Sequence, residues 1–173
     1  MSAGPAASES FVATLRDLVR WLDGEGLSAA VIGGVAASTH GRPRMTRDVD
    51  LLALVDEGHW QDFISKSEEY GFETRRDDAV EFAYRTRVVL LRHRATGIDL
   101  DVTLAGLPFE REVVERAARL SVGGIEVPLA TPEDLVILKA VARRPRAQVY
   151  IHRGARTTSL CVERCAIRGC IYR

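Results

Sequence analysis

Apolar residues mark out the chain in blocks of two periods. Phe11, Leu15, Leu18, Val19 and Leu22 recur at helical spacing behind Ser8 or Ser10 as a cap, and Gly24 and Gly26 stop the run. Residues 27–32 form an apolar strand, residues 35–40 a short helix stopped by Gly41-Arg42-Pro43, and residues 48–54 a second strand. Residues 60–70 predict a helix with Phe63, Ile64 and Trp60 inward and Gly71 at its end. Residues 88–91 are β-branched and apolar, and residues 98–104 alternate strictly. Arg94-Ala95-Thr96-Gly97 joins these two as a hairpin loop. On the second arm Asp99, Asp101 and Thr103 share one face, while Ile98, Leu100, Val102 and Leu104 share the other. Residues 108–119 predict a helix with Val113, Val114 and Ala117 inward. Gly123-Gly124, between Leu120-Ser121-Val122 and Ile125-Glu126-Val127, signals a two-residue hairpin. Thr131 caps a last helix with Pro132 at its first position and acids in its first turn. Residues 135–141 are apolar except for Lys139. This order of elements predicts an α/β (α+β) domain, a small mixed β-sheet flanked by helices.

Composition narrows the partners. The 173 residues suffice for one domain with a real core. Lys+Arg and Asp+Glu both number 24, so the chain has no overall pull toward nucleic acid or membrane. No apolar run has transmembrane length, and the N-terminus lacks a basic-then-apolar pattern, so the expectation is a cytoplasmic protein with no membrane partner. The periodicity fails after residue 146. All three cysteines, Cys161, Cys165 and Cys170, lie beyond it, and no Asp or Lys follows Arg146. Residues 1–146 therefore form the expected domain and 147–173 an atypical tail. A zinc site from His152 and the cysteines is a poor reading, because the spacings match no usual ligand pair.

The chemistry gathers at two stretches, Val31-Ile32-Gly33-Gly34-Val35-Ala36 and Arg44-Met45-Thr46-Arg47-Asp48-Val49-Asp50. Asp48 and Asp50 point the same way from one strand, where two like charges call for a cation between them. Carboxylate oxygens are hard ligands suited to Mg²⁺, which also takes substrate phosphates. The paired glycines allow a sharp bend into a helix whose free N–H groups attract phosphate. Taken singly, each feature has a structural reading. The glycines alone are a strand-to-helix turn, the aspartates a solvated face, Thr46 a local turn, and Lys139 a stem that snorkels to water.

In this order the pieces resemble the DNA-polymerase-beta-type nucleotidyltransferase superfamily. Arg44-x-Thr46-x-Asp48-x-Asp50 resembles its small bacterial members grouped with the AbiEii-type toxins. Asp101-Val102-Thr103-Leu104-Ala105-Gly106-Leu107-Pro108-Phe109-Glu110 and Thr131-Pro132-Glu133-Asp134-Leu135, with Lys139 behind it, are similar to the same group. The resemblance covers residues 27–146 and implies a nucleotidyltransferase fold. It implies transfer of a nucleoside monophosphate from an NTP, ATP among them, to an acceptor hydroxyl with release of pyrophosphate. In that scheme Asp48, Asp50 and Asp101 are catalytic and hold Mg²⁺, with Asp99 the fallback for the third carboxylate. Gly33, Gly34, Arg44, Thr46 and Lys139 bind the nucleotide. The acceptor stays open between RNA such as tRNA, protein and a small molecule. A toxin–antitoxin or defence role, with a cognate antitoxin as partner, is compatible with it. Two departures stand out: Val35 follows the glycines where many members have Ser, and the acidic run expected after Arg144-Pro145-Arg146 is missing. The missing run implies that the tail is not the family's own ending, and both departures keep open a catalytically weak nucleotide- or partner-binding module.

Overall fold

The computed structural model describes residues 9–41, 46–141, 149–153 and 156–160. The elements in order are α1 (Glu9–Gly24), β1 (Ser28–Ile32), α2 (Gly33–His40), β2 (Asp48–Leu54), α3 (Trp60–Ser67), β3 (Phe72–Thr74) and α4 (Ala79–Thr86). They continue with β4 (Val88–His93), β5 (Asp99–Leu104), α5 (Pro108–Glu115), β6 (Ala118–Val122), β7 (Ile125–Leu129) and α6 (Pro132–Val141). A separate antiparallel hairpin follows, β8 (Val149–Arg153) with β9 (Arg156–Leu160). Strands β1 to β7 make one sheet in the order β3-β4-β5-β2-β1-β7-β6. It is mixed: β2 runs parallel to β5 and β1 to β7, and the remaining pairs are antiparallel. This is the α/β architecture, a mixed sheet flanked by helices, that the sequence leads one to expect.

Register divides the sheet into two faces. Val31, Leu51, Val102 and Val89 are partners from strand to strand, and all four are fully buried. Successive side chains alternate, so the next row, Ile32, Asp50, Asp101 and Leu90, lies on the opposite face. Alpha-helix packing closes the first face. Trp21 of α1 stacks on Phe63 of α3 at 4.7 Å between centroids and lies 5.7 Å from Phe72 of β3. Burying an aromatic ring of this size contributes about 3 kcal/mol. His93, for which the sequence carries no signal, is buried on the same face. Its ring nitrogens lie 3.0 Å from Asp17 Oδ2, 3.3 Å from Thr14 Oγ1 and 2.8 Å from Thr96 Oγ1, tying α1 to the β4–β5 hairpin.

Two short sequence motifs turn out to be locks. The Glu110 carboxylate accepts the N–H groups of Gly106 at 2.8 Å and Leu107 at 3.0 Å, capping its own helix. It also takes the Arg87 guanidinium at 2.9 Å. A Cβ at Gly106 would overlap that guanidinium, so a side chain there would force Arg87 to shift. At the start of α6 the expected Thr131 cap forms, with Asp134 N–H donating to Thr131 Oγ1 at 3.2 Å. Asp134, almost fully buried, receives a two-pronged bond from Arg116 at 2.8 and 3.2 Å.

Other boundaries moved. The helix expected over residues 108–119 ends at Glu115, and residues 118 and 119 join the expected hairpin arm 120–122 in β6. The five-residue register of β6 with β7 outweighs the helical spacing of Val113, Val114 and Ala117. The expected Gly123-Gly124 hairpin forms, with φ of 59° and 83°. A two-residue turn of that kind needs positive φ at both positions. The helix from Trp60 ends at Ser67 and continues as a 3₁₀ turn to Tyr70 before Gly71. Strand β3 and helix α4 went unread.

Candidate active site

The site is built where β2 and β5 lie side by side. Their parallel register sets Asp48 opposite Asp99 and Asp50 opposite Asp101. Neighbouring strands are about 4.8 Å apart, so four carboxylates share one small patch of the sheet's second face. Asp48 is exposed, and Asp50, Asp99 and Asp101 are half-buried.

The diglycine bend sits against this patch. Gly33 follows Ile32, the register partner of Asp50, and turns the chain from β1 into α2 with φ of 65°. A Cβ at Gly33 would overlap the Asp50 carboxylate. Conformation and space both demand glycine here. A Cβ at Gly34 would overlap the Thr46 methyl group. The bend, Thr46 and Asp50 therefore pack as one unit. Lys139 is half-buried on α6, which packs against α2. Arg44 lies outside the described residues, as do Cys161, Cys165 and Cys170.

One residue of the site escaped the sequence reading. Arg75, in the loop after β3, donates from Nη1 to Asp99 Oδ2 at 2.8 Å and from Nη2 to Asp101 Oδ1. Its main-chain N–H donates to the Leu90 carbonyl at 2.9 Å, which fixes the loop on β4. Its Nε is buried with no hydrogen-bond partner among the described residues. Arg92, the register partner of Asp99, donates from Nε to Asp99 Oδ1 at 2.8 Å. Arg92 foremost, and then Arg75, hold the Asp99 carboxyl below the usual carboxylate range, although partial burial opposes this. The signal for such a residue was the crowding of Asp99 and Asp101 on one face, which calls for a counter-charge. Nothing in Glu73-Thr74-Arg75-Arg76-Asp77-Asp78 singles Arg75 out.

Hard carboxylate oxygens on adjacent strands suit a divalent cation by donor type and by strand placement. Among the described residues, no three His, Cys, Asp or Glu side chains are gathered tightly enough to hold one, and the third carboxylate carries a guanidinium instead. The donor set fits magnesium by type, and at Asp99 and Asp101 the positive charge is supplied by arginine.

The fold is that of a nucleotidyltransferase-like domain, and solved structures share it. The antibiotic-resistance factor ANT(2″)-Ia, crystallised with adenylyl-2″-tobramycin, is 15% identical over 78% of this chain and 78% of its own, with a TM-score of 0.54. The lincosamide antibiotic adenylyltransferase LnuA, lincomycin-bound, is 16% identical over 78% of this chain and 86% of its own, with a TM-score of 0.51. At these identities the likeness is one of fold. No curated protein matches the chain. A family model matches residues 11–163, and the chain belongs to that family, described as nucleotidyl transferase of unknown function (DUF2204). The matches do not name the AbiEii-type group. No helix of the described residues is long and apolar enough to cross a membrane.

Proposed function

We propose that this protein is a magnesium-dependent nucleotidyltransferase that moves a nucleoside monophosphate from an NTP to an acceptor hydroxyl. The observation that carries the reading is the register of Asp50 with Asp101, beside a diglycine bend packed on the Asp50 carboxylate. Asp48, Asp50 and Asp101 would hold magnesium, which when bound would offset the charge of the triphosphate and of the reacting oxygens. Main-chain N–H groups at Gly33 and Gly34 cradle the phosphates. Arg44, Thr46 and Lys139 complete the nucleotide's surroundings. The acceptor oxygen forms a bond to the α-phosphorus, the bond to pyrophosphate breaks, and the acceptor's proton passes to Asp101. Positioning and charge neutralisation supply most of the rate in such transfers.

ATP is the first donor to test, because the structural neighbours are named as adenylyltransferases or hold an adenylylated product. Those names also put a small hydroxylated molecule beside tRNA and protein as acceptor classes. Membership of the AbiEii-like group, a cytoplasmic toxin–antitoxin or defence role, and a tail after residue 146 that is not the family's own ending belong to the same proposal. The other reading is a nucleotide- or partner-binding module without transfer; Val35 after the glycines favours it.

The test incubates the protein with each labelled NTP, Mg²⁺, and in turn tRNA, a cell lysate and a panel of small polyols. Label transfer that disappears in Asp48→Ala supports the enzyme. Nucleotide binding without transfer under every condition overturns it in favour of the module.

A further inference from the structure

We propose that Arg75 is a positioning residue that holds Asp99 and Asp101 in the nucleotide-free protein and yields Asp101 when a divalent cation binds. The inference rests on the metal-dependent reading above and adds a residue that reading does not contain.

Three observations carry it. First, one guanidinium spans two carboxylates that are two residues apart on β5, so Arg75 occupies the charge position that a cation on Asp101 would take. Second, the two ends of Arg75 are held differently. Its backbone is tied to β4 through the Leu90 carbonyl, while its buried Nε has no partner among the described residues. An unsatisfied buried donor lowers the cost of leaving that position. Third, Asp99 keeps Arg92 as a second guanidinium at 2.8 Å, so the departure of Arg75 does not strip Asp99 of counter-charge. Arg75 thus keeps a patch of like charges folded without metal, and it sets the threshold at which metal enters. Once displaced, its planar fork remains tethered at the patch, suited to phosphate oxygens.

The prediction has an unusual sign: deleting a side chain at the site tightens ligand binding. Mn²⁺ titrations followed by electron paramagnetic resonance, on the full chain without nucleotide, compare wild type with Arg75→Met, Arg75→Lys and Arg92→Met. Arg75→Met should bind Mn²⁺ about tenfold more tightly, a shift of about 1.4 kcal/mol. Arg75→Lys, which neutralises but cannot bridge, should fall between, and it serves alone if Arg75→Met does not fold. Arg92→Met should stay within about twofold of wild type, because its partner is Asp99. In wild type, the Arg75 side-chain N–H resonances should move on Mg²⁺ addition. Equal or weaker Mn²⁺ binding by folded Arg75 variants, with wild type still binding, overturns the exchange and leaves the metal site standing. If neither wild type nor any Arg75 variant binds Mn²⁺, both the exchange and the metal-dependent reading fall.

Discussion

Two arginine–carboxylate clusters in this molecule look alike on paper and do opposite work. Glu110 is buried, and it is satisfied from three directions: the N–H groups of Gly106 and Leu107, and the guanidinium of Arg87. Two of those partners are backbone and cannot leave without unwinding α5. Asp99 and Asp101 are half-buried, and their partners Arg75 and Arg92 are side chains that can swing away. A carboxylate bonded to backbone is part of the fold. A carboxylate bonded to removable side chains is available for exchange. The same chemistry therefore makes a lock at α5 and, on the proposed reading, a site at the β2–β5 seam, and the substitutions that follow should separate the two.

The largest effect should come from the seam. Asp50→Asn keeps shape and removes charge, so nucleotidyl transfer should fall by about three orders of magnitude, roughly 4 kcal/mol of transition-state stabilisation. The melting temperature should scarcely change, because the amide keeps the shape and relieves repulsion among the four carboxylates of the patch. Single-turnover transfer from labelled ATP, alongside thermal melts, reads both. A large loss of stability would place Asp50 with Glu110, among the locks.

Next comes the lock itself. Glu110→Ala leaves two N–H groups and the Arg87 guanidinium without their acceptor, and should cost about 3 kcal/mol. Urea unfolding measures it. Folded protein at low temperature should keep its Mn²⁺ affinity, since the Glu110 carboxylate is bonded to Gly106, Leu107 and Arg87 rather than to the aspartates of the seam.

Gly33→Ala should follow at about 2 kcal/mol, because a side chain at positive φ is strained and this one also meets the Asp50 carboxylate. It tests both regions at once. The strain should appear in urea unfolding, and the displacement of Asp50 should appear as lost transfer. Gly34→Ala, which meets only the Thr46 methyl, should lose less of each.

How much of this was legible depends on the range of the interaction. Strand β2, the alternation of β5, the hairpin at Gly123-Gly124 and the Thr131 cap are written in local period and turn chemistry, and they came through. The placement of Asp50 against Asp101 needs a parallel crossover, which no local pattern encodes; only the order of motifs suggested it. Strand β3 and helix α4 were lost because three and eight residues leave little periodicity, and charged residues 73–78 break what there is. Arg75 was invisible for the same reason. The expected cation lies between Asp48 and Asp50; the bridge between Asp99 and Asp101 comes from a loop more than 20 residues away in sequence, and no local pattern points to it. At residues 118 and 119 the pairing with β7 outweighs a helical spacing that is real but short.

The smallest expected effect is on acid stability, and it asks whether Asp99 belongs to the fold or to the site. Arg92 and Arg75 hold its carboxyl below the ordinary range, whereas in the unfolded chain it titrates near about 3.9. A group with a depressed folded value binds its proton more readily in the unfolded state. Its ion pairs therefore stabilise the fold fully above that unfolded value, and the contribution fades as pH falls through the lower folded value. The Arg92 side chain is 49% exposed, so water and salt screen the pair, and the contribution should stay under about 1 kcal/mol. Asp99→Asn should thus be slightly less stable than wild type at pH 7 in urea unfolding, with the gap closing as the pH drops below 4. Added salt should shrink the gap at neutral pH. A gap that persists in acid would mean that Asp99 acts through shape and hydrogen bonding, which would move it from the exchangeable patch to the company of Glu110.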